Sequence, residues 1–230
     1  MAGTKQEIIL LGLETSGLTS GVYLSRDNQV LGEMALNIQN IHSRGVALFI
    51  HQLLKLTSLS LQQISAVVVS AGPGSFTGLR IGYSIAKGIA HALQKPLIEV
   101  PTLDVWAYQQ GQSEFPVFSF IDAHRQEIFH ALYRWEGKEL TRITDYQITT
   151  VESLPGLVHE KTIFVGPDID RFKSQLEALL GQWAVLAHPI QRQLQGWALL
   201  QLGWQKYHTG QFSDLNSCEP LYLRPFKGIL

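Results

Sequence analysis

The sequence of 230 residues has one cysteine, two methionines and almost no net charge. Cys218 cannot form an intramolecular disulfide, and a zinc site built on cysteines needs more than one of them. The 18 basic residues are balanced by 19 acidic ones, so no overall field attracts nucleic acid or a membrane surface. This balance disfavours a protein that binds RNA by itself, because such proteins usually carry a basic stripe.

Long apolar runs are also absent. The first apolar run, within MAGTKQEIILLGLE, is too short for a signal peptide with its cleavage site. No run reaches the ~18 apolar residues of a membrane span. The segment 76–93 comes closest, and Arg80 and Lys87 interrupt it. We therefore expect a cytoplasmic protein with no membrane partner.

Signatures of catalysis are scarce. No HExxH motif occurs, and His42 and His51 lie too far apart to share the i, i+4 spacing of a metallohydrolase helix. No Gly-x-Ser-x-Gly elbow indicates a serine hydrolase. We predict no metal site and no catalytic residue in this chain.

The apolar pattern that is present predicts a duplicated α/β fold. Strands and helices are expected in the order β-β-β-α-β-α twice, with Glu14 and Asp122 at the ends of the two first strands, roughly 108 residues apart. A repeat of this length indicates two lobes rather than a solenoid. Two ribonuclease-H-like lobes with mixed sheets are the plan of the actin-like ATPase and sugar-kinase (ASKHA) superfamily.

The expected domain organisation follows from this order. We predict an N-terminal lobe over 1–110 (βββαβαβα) that is joined by a helix near 190–208, a smaller C-terminal lobe over 111–189, and an extended tail over 209–230. Pro220 and Pro225 keep the tail non-helical.

Three local features are predicted as well. Ser43 is expected to be the N-cap of the first helix, whose residues Val46, Ile50 and Leu53 repeat at helical spacing. Thr102 is expected to cap a short helix. In the second lobe, 140–149 is expected to form one strand.

The segment GPGSFTGLRIG (72–82) leads from a predicted strand into a predicted helix. Gly72 and Gly74 permit positive φ, Pro73 stiffens the turn, and Ser75 is placed to cap the helix. A helix N-terminus after glycines is a natural anion site, but the lysine of a Walker motif is missing. A structural turn is favoured, and phosphate binding stays open.

The helix after this turn has two apolar faces. Small residues recur every four positions at Gly78, Gly82, Ala86 and Ala90, beside a stripe of Ile81, Ile85, Ile89 and Leu93. One face must pack on the sheet. The other either packs within the lobe or forms a subunit interface, since small residues let helices approach closely.

Carboxylates are expected at equivalent places in the two lobes. Glu14 begins Glu14-Thr15-Ser16, and Asp122 ends the matching strand. In an actin-type fold these ends face each other and could organise a magnesium ion on phosphates. The alternative is that both cap turns. Because no glycine follows Asp122 in Ala123–Gln126, we do not expect ATP hydrolysis by this chain alone.

Four segments together resemble the TsaB (YeaZ) family: GPGSFTGLRIG, ILLGLETS, IDAHRQEIFHALY and EPLYLRP. The resemblance implies a paralogue of TsaD that makes no transfer itself. It would pair with TsaD, with TsaE as the ATPase, to form threonylcarbamoyladenosine in tRNAs that read codons beginning with A. It implies a homodimer when alone, contact with tRNA only through the complex, no intrinsic cofactor, and ATP or ADP at the junction with TsaD.

The resemblance also implies site residues. The partner interface would involve the first helix and the helix after Gly74, through Ser43, Val46, Phe49, Ile50, Leu53, Phe76, Gly78, Leu79, Gly82, Ile85, Ala86 and Ile89. The residues themselves, rather than the resemblance, offer candidate nucleotide or phosphate contacts at Glu14, Thr15, Ser16, Gly72, Gly74, Ser75 and Asp122.

The chain departs from the family pattern in places. LETS stands where the family has IDTS, and His124 takes the first basic place of DARR. Val46 follows His42 where TsaD has the second histidine of its metal pair. The alternative function is an actin-type ATPase or kinase, or a glycoprotease-like hydrolase, that acts alone.

Overall fold

The computed structural model describes residues 7–37, 42–191 and 193–224. The chain divides into two compact units, with changes of unit at Val100/Pro101, Gln195/Gly196 and Pro220/Leu221. Within the described ranges, no helix is both long and apolar enough to cross a bilayer.

The first unit is a five-stranded mixed sheet with helices on both faces. Its elements are β1 Ile9–Glu14, β2 Thr19–Arg26, β3 Gln29–Asn37, α1 His42–Leu56, β4 Ala66–Ser70, α2 Phe76–Leu93, β5 Leu97–Val100 and α5 Gly196–His208. The strand order is β3-β2-β1-β4-β5, with β1 antiparallel to β2 and parallel to β4. Helices α1 and α2 cover one face and α5 the other, so β1 and β4 are buried throughout.

The second unit repeats this plan. Its elements are α3 Thr102–Gln109, β6 Val117–His124, β7 Glu127–Glu136, β8 Glu139–Arg142, β9 Gln147–Thr150, β10 Thr162–Val165, α4 Ile169–Leu180 and β11 Ala184–Leu186. The strand order is β11-β10-β6-β7-β8, and β9 also pairs with β7. Strand β6 is antiparallel to β7 and parallel to β10, as β1 is to β2 and β4. The predicted duplication of ribonuclease-H-like lobes is confirmed.

The strand predicted over 140–149 is two strands, which is a correction. Both β8 and β9 pair with β7, and the chain between them, residues 143–146, turns beside Leu132 of β7. The Leu132 N–H donates to the Thr144 hydroxyl at 3.0 Å instead of to a backbone carbonyl. The Thr144 hydroxyl thus takes the place of a backbone carbonyl as the acceptor, and the strand predicted over 140–149 is interrupted there.

Two predicted helix caps are corrected. Helix α1 begins at His42, so Ser43 lies inside its first turn, and the side chain of Ser43 is outside the described part of the chain. Pro101 is the N-cap of α3, and Thr102 is its first residue. Pro225 and the rest of the predicted tail to 230 also fall outside the described residues.

The helix predicted near 190–208 starts later, at Gly196. The segment before α5 follows a single 3-10 turn, Pro189–Gln191, and is held by the buried side chain of Gln109. Its Nε2 donates to the carbonyls of Gln191 and Gln193 at 2.8 and 3.1 Å, and its Oε1 accepts from the Gln195 N–H at 2.9 Å. These contacts compete with helical hydrogen bonds and delay the start of α5.

The boundary between the units lies earlier than the predicted one at 110. Helix α3 packs on β6, β7 and β8, so the second unit begins at Pro101. Residues up to Pro220 stay with the first unit, where the Ser213 N–H donates to the Leu97 carbonyl at 2.9 Å.

Candidate functional site

The turn after β1 is joined to the start of α2. The Ser16 carbonyl accepts from the Ser75 N–H at 2.7 Å, and the Thr15 hydroxyl donates to the Gly78 carbonyl at 2.8 Å. The Ser75 hydroxyl accepts from the Gly78 N–H, which confirms Ser75 as the N-cap. Groups of the chain itself therefore occupy part of the helix terminus that a phosphate would use.

The glycines of this motif are explained by close backbone packing. A Cβ on Gly74 would lie 2.2 Å from the Ser16 carbonyl oxygen, and a Cβ on Gly78 would lie 2.0 Å from that of Thr15. Gly72 has the positive φ that the sequence predicts, at 97°, whereas Gly74 does not. Gly74 is thus required for space rather than for its dihedral angle.

Glu14 is buried at the centre of this turn, with 1% of its surface exposed. One carboxylate oxygen accepts from the Ser16 N–H and hydroxyl, and the other accepts from the Ser70 hydroxyl. Burial raises the pKa of Glu14, and these hydrogen bonds oppose the shift. Glu14 therefore stabilises its own turn.

Asp122 has a similar arrangement in the second unit. One carboxylate oxygen accepts from the His124 N–H at 2.9 Å, and the other forms an ion pair with Arg171. The Asp122 N–H donates to the Asp168 carboxylate, whose pKa is raised mainly by burial. Glu14 thus ends β1, whereas Asp122 lies two residues before the end of β6, and each carboxylate caps the turn that follows.

The role in binding magnesium and phosphate that the sequence left open for these carboxylates finds limited support in this geometry. Among residues 7–37, 42–191 and 193–224, no three His, Cys, Asp or Glu side chains lie close enough together to hold a metal ion. Glu14, Thr15 and Ser16 are buried, so their side chains are not open to a ligand in this conformation.

Most residues predicted at a partner interface lie in the core of the first unit. This is a correction, since the inner faces of α1 and α2 pack on the sheet. The buried ones are Val46, Phe49, Ile50, Leu53, Gly78, Leu79, Gly82 and Ala86. Phe76, Ile85 and Ile89 are half-buried, so their outer atoms remain available to a partner.

The exposed apolar surface of these two helices involves other residues. On α1, Leu48 and Leu56 are 54% and 71% exposed. On α2, Ser84 and Gly88 are exposed beside half-buried Ile85. Helix α1 contacts α2, so these residues belong to neighbouring helices. The sequence does contain a signal for this surface: Leu48 and Leu56 lie outside the apolar stripe of α1, at positions where polar residues are usual. We call Leu48, Leu56, Ile81, Ile85 and Gly88 the outer α1/α2 surface.

Duplicated ribonuclease-H-like lobes, each with a carboxylate-capped turn after its first strand, define an actin-like α/β protein. The family model described as "TsaD: tRNA N6-adenosine threonylcarbamoyltransferase" matches residues 29–197. The chain therefore belongs to the TsaD family, and within it to the TsaB (YeaZ) group on the relatives that follow.

The relatives are similar over nearly their whole length. The chain is 28% identical over 218 residues to the tRNA threonylcarbamoyladenosine biosynthesis protein TsaB of Bacillus subtilis (strain 168), covering 94% of this chain and 93% of that protein. It is 26% identical over 243 residues to TsaB of Escherichia coli (strain K12), covering 94% of each. The structure of YeaZ from Pseudomonas aeruginosa matches with a TM-score of 0.80 at 24% identity, covering 94% of this chain and 100% of that one, which shows the shared fold.

Proposed function

We propose that this chain is an accessory subunit in the synthesis of threonylcarbamoyladenosine in tRNA, and that it pairs with TsaD. Relatives named as TsaB biosynthesis proteins align along 94% of the chain, which supports this role. The observation that carries the pairing is the outer α1/α2 surface, where two exposed leucines of α1 lie on a helix next to the half-buried isoleucines of α2.

The proposal gives this chain no part in the transfer step. Its reason is that both carboxylate oxygens of Glu14 are engaged by Ser16 and Ser70 inside the chain. A group that already accepts these hydrogen bonds would have to break them before it could hold a magnesium ion or a phosphate-bound water. In the proposal, TsaE supplies ATPase activity and tRNA binds only to the assembly. ATP or ADP lies at the junction with TsaD.

The outer α1/α2 surface suits a helix-to-helix contact. Leu48 and Leu56 supply apolar area, and burying it against a partner is favourable. Gly88 has no atom within 4 Å of a Cβ position, so the space above it is open to a partner backbone. When TsaD is absent, we propose that a second copy of the chain covers the same surface.

Co-purification with TsaD from the same organism tests the proposal. The Gly88→Arg and Leu48→Asp variants should abolish the complex and leave the isolated chain folded, because Gly88 faces open space and Leu48 is exposed. Ile143→Asp is the matched control, since Ile143 is 49% exposed in the second unit and should not affect pairing.

A second readout is the modified nucleoside itself. We expect TsaD and TsaE with the wild-type chain to form threonylcarbamoyladenosine in tRNA, and we expect the two surface variants to prevent it. A wild-type chain that stays monomeric at high concentration and does not bind TsaD would contradict the proposal.

A further inference from the structure

A small cavity lies in the first unit, between the β2–β3 hairpin and the N-terminal half of α5. Its volume is about 120 Å³. The residues that line it come from both elements: Ser25, Asn28, Val30, Trp197, Leu200 and Gln201. None of these residues belongs to the outer α1/α2 surface or to the turn around Glu14.

A buried hydroxyl in the wall of this cavity is unsatisfied. Ser25 is 3% exposed, and its Oγ has no hydrogen-bond partner among the residues that the structure describes. Buried hydroxyls in native proteins are normally hydrogen-bonded, because an unpaired one has lost its water without replacement. The Ser25 hydroxyl is therefore a site at which a ligand can gain a hydrogen bond at little cost.

The local strand pairing places Ser25 at the cavity. The register between β2 and β3 shifts between Leu24 and Ser25, so that Ser25 pairs with Val30 and Leu31 is left as the extra residue of a bulge. Bulges redirect side chains and recur beside binding sites. Ser25 faces the α5 side of the sheet by the normal alternation of β2, while Leu24 packs in the core under α1. The bulge in β3 brings Val30 to the same side as Ser25.

The remaining wall is apolar or neutral. Trp197 and Val30 are 41% and 45% exposed, and Leu200 is buried. The side-chain amides of Asn28 and Gln201 each supply donors and an acceptor. None of the six lining residues is charged, so the cavity offers no counter-ion to a phosphate, a carboxylate or an ammonium group.

We propose that this cavity binds a neutral, single-ring nitrogen heterocycle, of which a pyrimidine nucleobase is the simplest example. A cavity of about 150 Å³ accommodates benzene, so about 120 Å³ open to the surface suits one ring that protrudes slightly. Trp197 provides a flat apolar wall, as aromatic residues do for bases. The ring edge then bonds the Ser25 hydroxyl and the Gln201 amide.

This site is independent of the proposed pairing with TsaD, and its failure would leave that proposal untouched. The test uses the full-length chain and uracil as the probe, followed by saturation-transfer NMR and tryptophan fluorescence. Benzene is the apolar comparison, because it is a single six-membered ring without a hydrogen-bonding edge. We expect uracil to bind with a Kd on the order of 1 mM, as befits so small a ligand, and more tightly than benzene.

Single substitutions separate the contribution of the Ser25 hydrogen bond to uracil binding from that of the Trp197 ring. Ser25→Ala should weaken uracil binding about fivefold, the effect of one neutral hydrogen bond, and leave benzene binding unchanged. Trp197→Ala should weaken both ligands. Trp183→Ala is the matched control, because Trp183 is 39% exposed in the second unit and should affect neither.

Gln201→Leu provides a second route to the same answer if Ser25→Ala does not fold, since it removes one amide and keeps the volume. It should weaken uracil and not benzene. The proposal is overturned if uracil does not saturate the wild-type chain, if benzene binds as tightly as uracil, or if Ser25→Ala and Gln201→Leu both leave uracil binding unchanged.

Discussion

The imidazole of His130 is stacked on the ring of Phe118 in the interior of the second unit, with ring centroids 4.9 Å apart and planes 14° from parallel. His130 is 2% exposed, and neither ring nitrogen has a hydrogen-bond partner in the described part of the chain. Burial lowers the pKa of His130 to about 4. An uncharged histidine thus serves as an aromatic core residue.

The first prediction concerns acid. Between a pH of about 6.5 and about 4 the unfolded chain binds a proton at His130 that the folded chain does not, so the free energy of unfolding falls as the pH is lowered through this range. The loss is at most about 3 kcal/mol. His130→Phe should remove it, measured as urea unfolding at pH 8 and pH 5. His159→Phe, at an exposed position, is the control. Equal acid sensitivity of wild type and His130→Phe would refute this explanation.

Glu14 gives the opposite pH dependence. Because burial raises its pKa, the stability that its protonated form contributes is present below the pKa of the unfolded chain and is lost as the pH rises through the folded value. Glu14→Gln stays neutral at both pH values. The difference in the free energy of unfolding between this variant and the wild type should therefore favour the variant more at pH 8 than at pH 4. Glu14→Ala should lose stability at both pH values, because Ser16 and Ser70 then lack their acceptor. A Gln variant with the same pH profile as wild type would count against a raised pKa.

The turn after β6 has three successive residues in the left-handed region. His124, Arg125 and Gln126 have φ values of 61°, 56° and 65°. This conformation is unfavourable for side chains with a Cβ, so Gln126→Gly should stabilise the chain by about 0.5–1 kcal/mol. Gln126→Ala is the control, since alanine keeps the Cβ and should give no such gain. Thermal unfolding compares the two variants, and equal melting temperatures would show that the left-handed turn carries no strain.

Gln109 is predicted to hold the segment before α5. Gln109→Leu removes three hydrogen bonds to the backbone of residues 191–195 and should destabilise the chain by roughly 2 kcal/mol. We expect faster proteolytic cleavage in this segment, located by mass spectrometry. Gln110→Leu is the neighbouring control, because the Gln110 Oε1 is buried without a partner among the described residues. Equal cleavage of both variants would contradict the role of Gln109.

Elements defined by local signals could be predicted from the sequence. Helix α2 runs from Phe76 to Leu93 behind its Ser75 cap, as expected. Here the information lies within a few residues, in a capping serine that follows glycines.

The features that the sequence did not predict depend on distant contacts. The start of α5 depends on Gln109, 86 residues before Gln195. The burial of Gly78 depends on Thr15, which lies 63 residues earlier. Periodicity alone cannot decide which of two apolar helix faces is covered. Gly78 and Gly82, which the resemblance places at the partner interface, lie against Thr15 of the same chain.

The position of α5 in the chain has a consequence for synthesis. The first sheet is complete at Val100, but the helix that covers its second face begins at Gly196. At roughly 5–20 residues per second, the ribosome takes about 5–20 s to make the intervening segment. During that interval the apolar side of β1 and β4 has no cover from its own chain. The first lobe therefore lacks this cover until α5 is made, and an apolar sheet face exposed for that long is prone to aggregation.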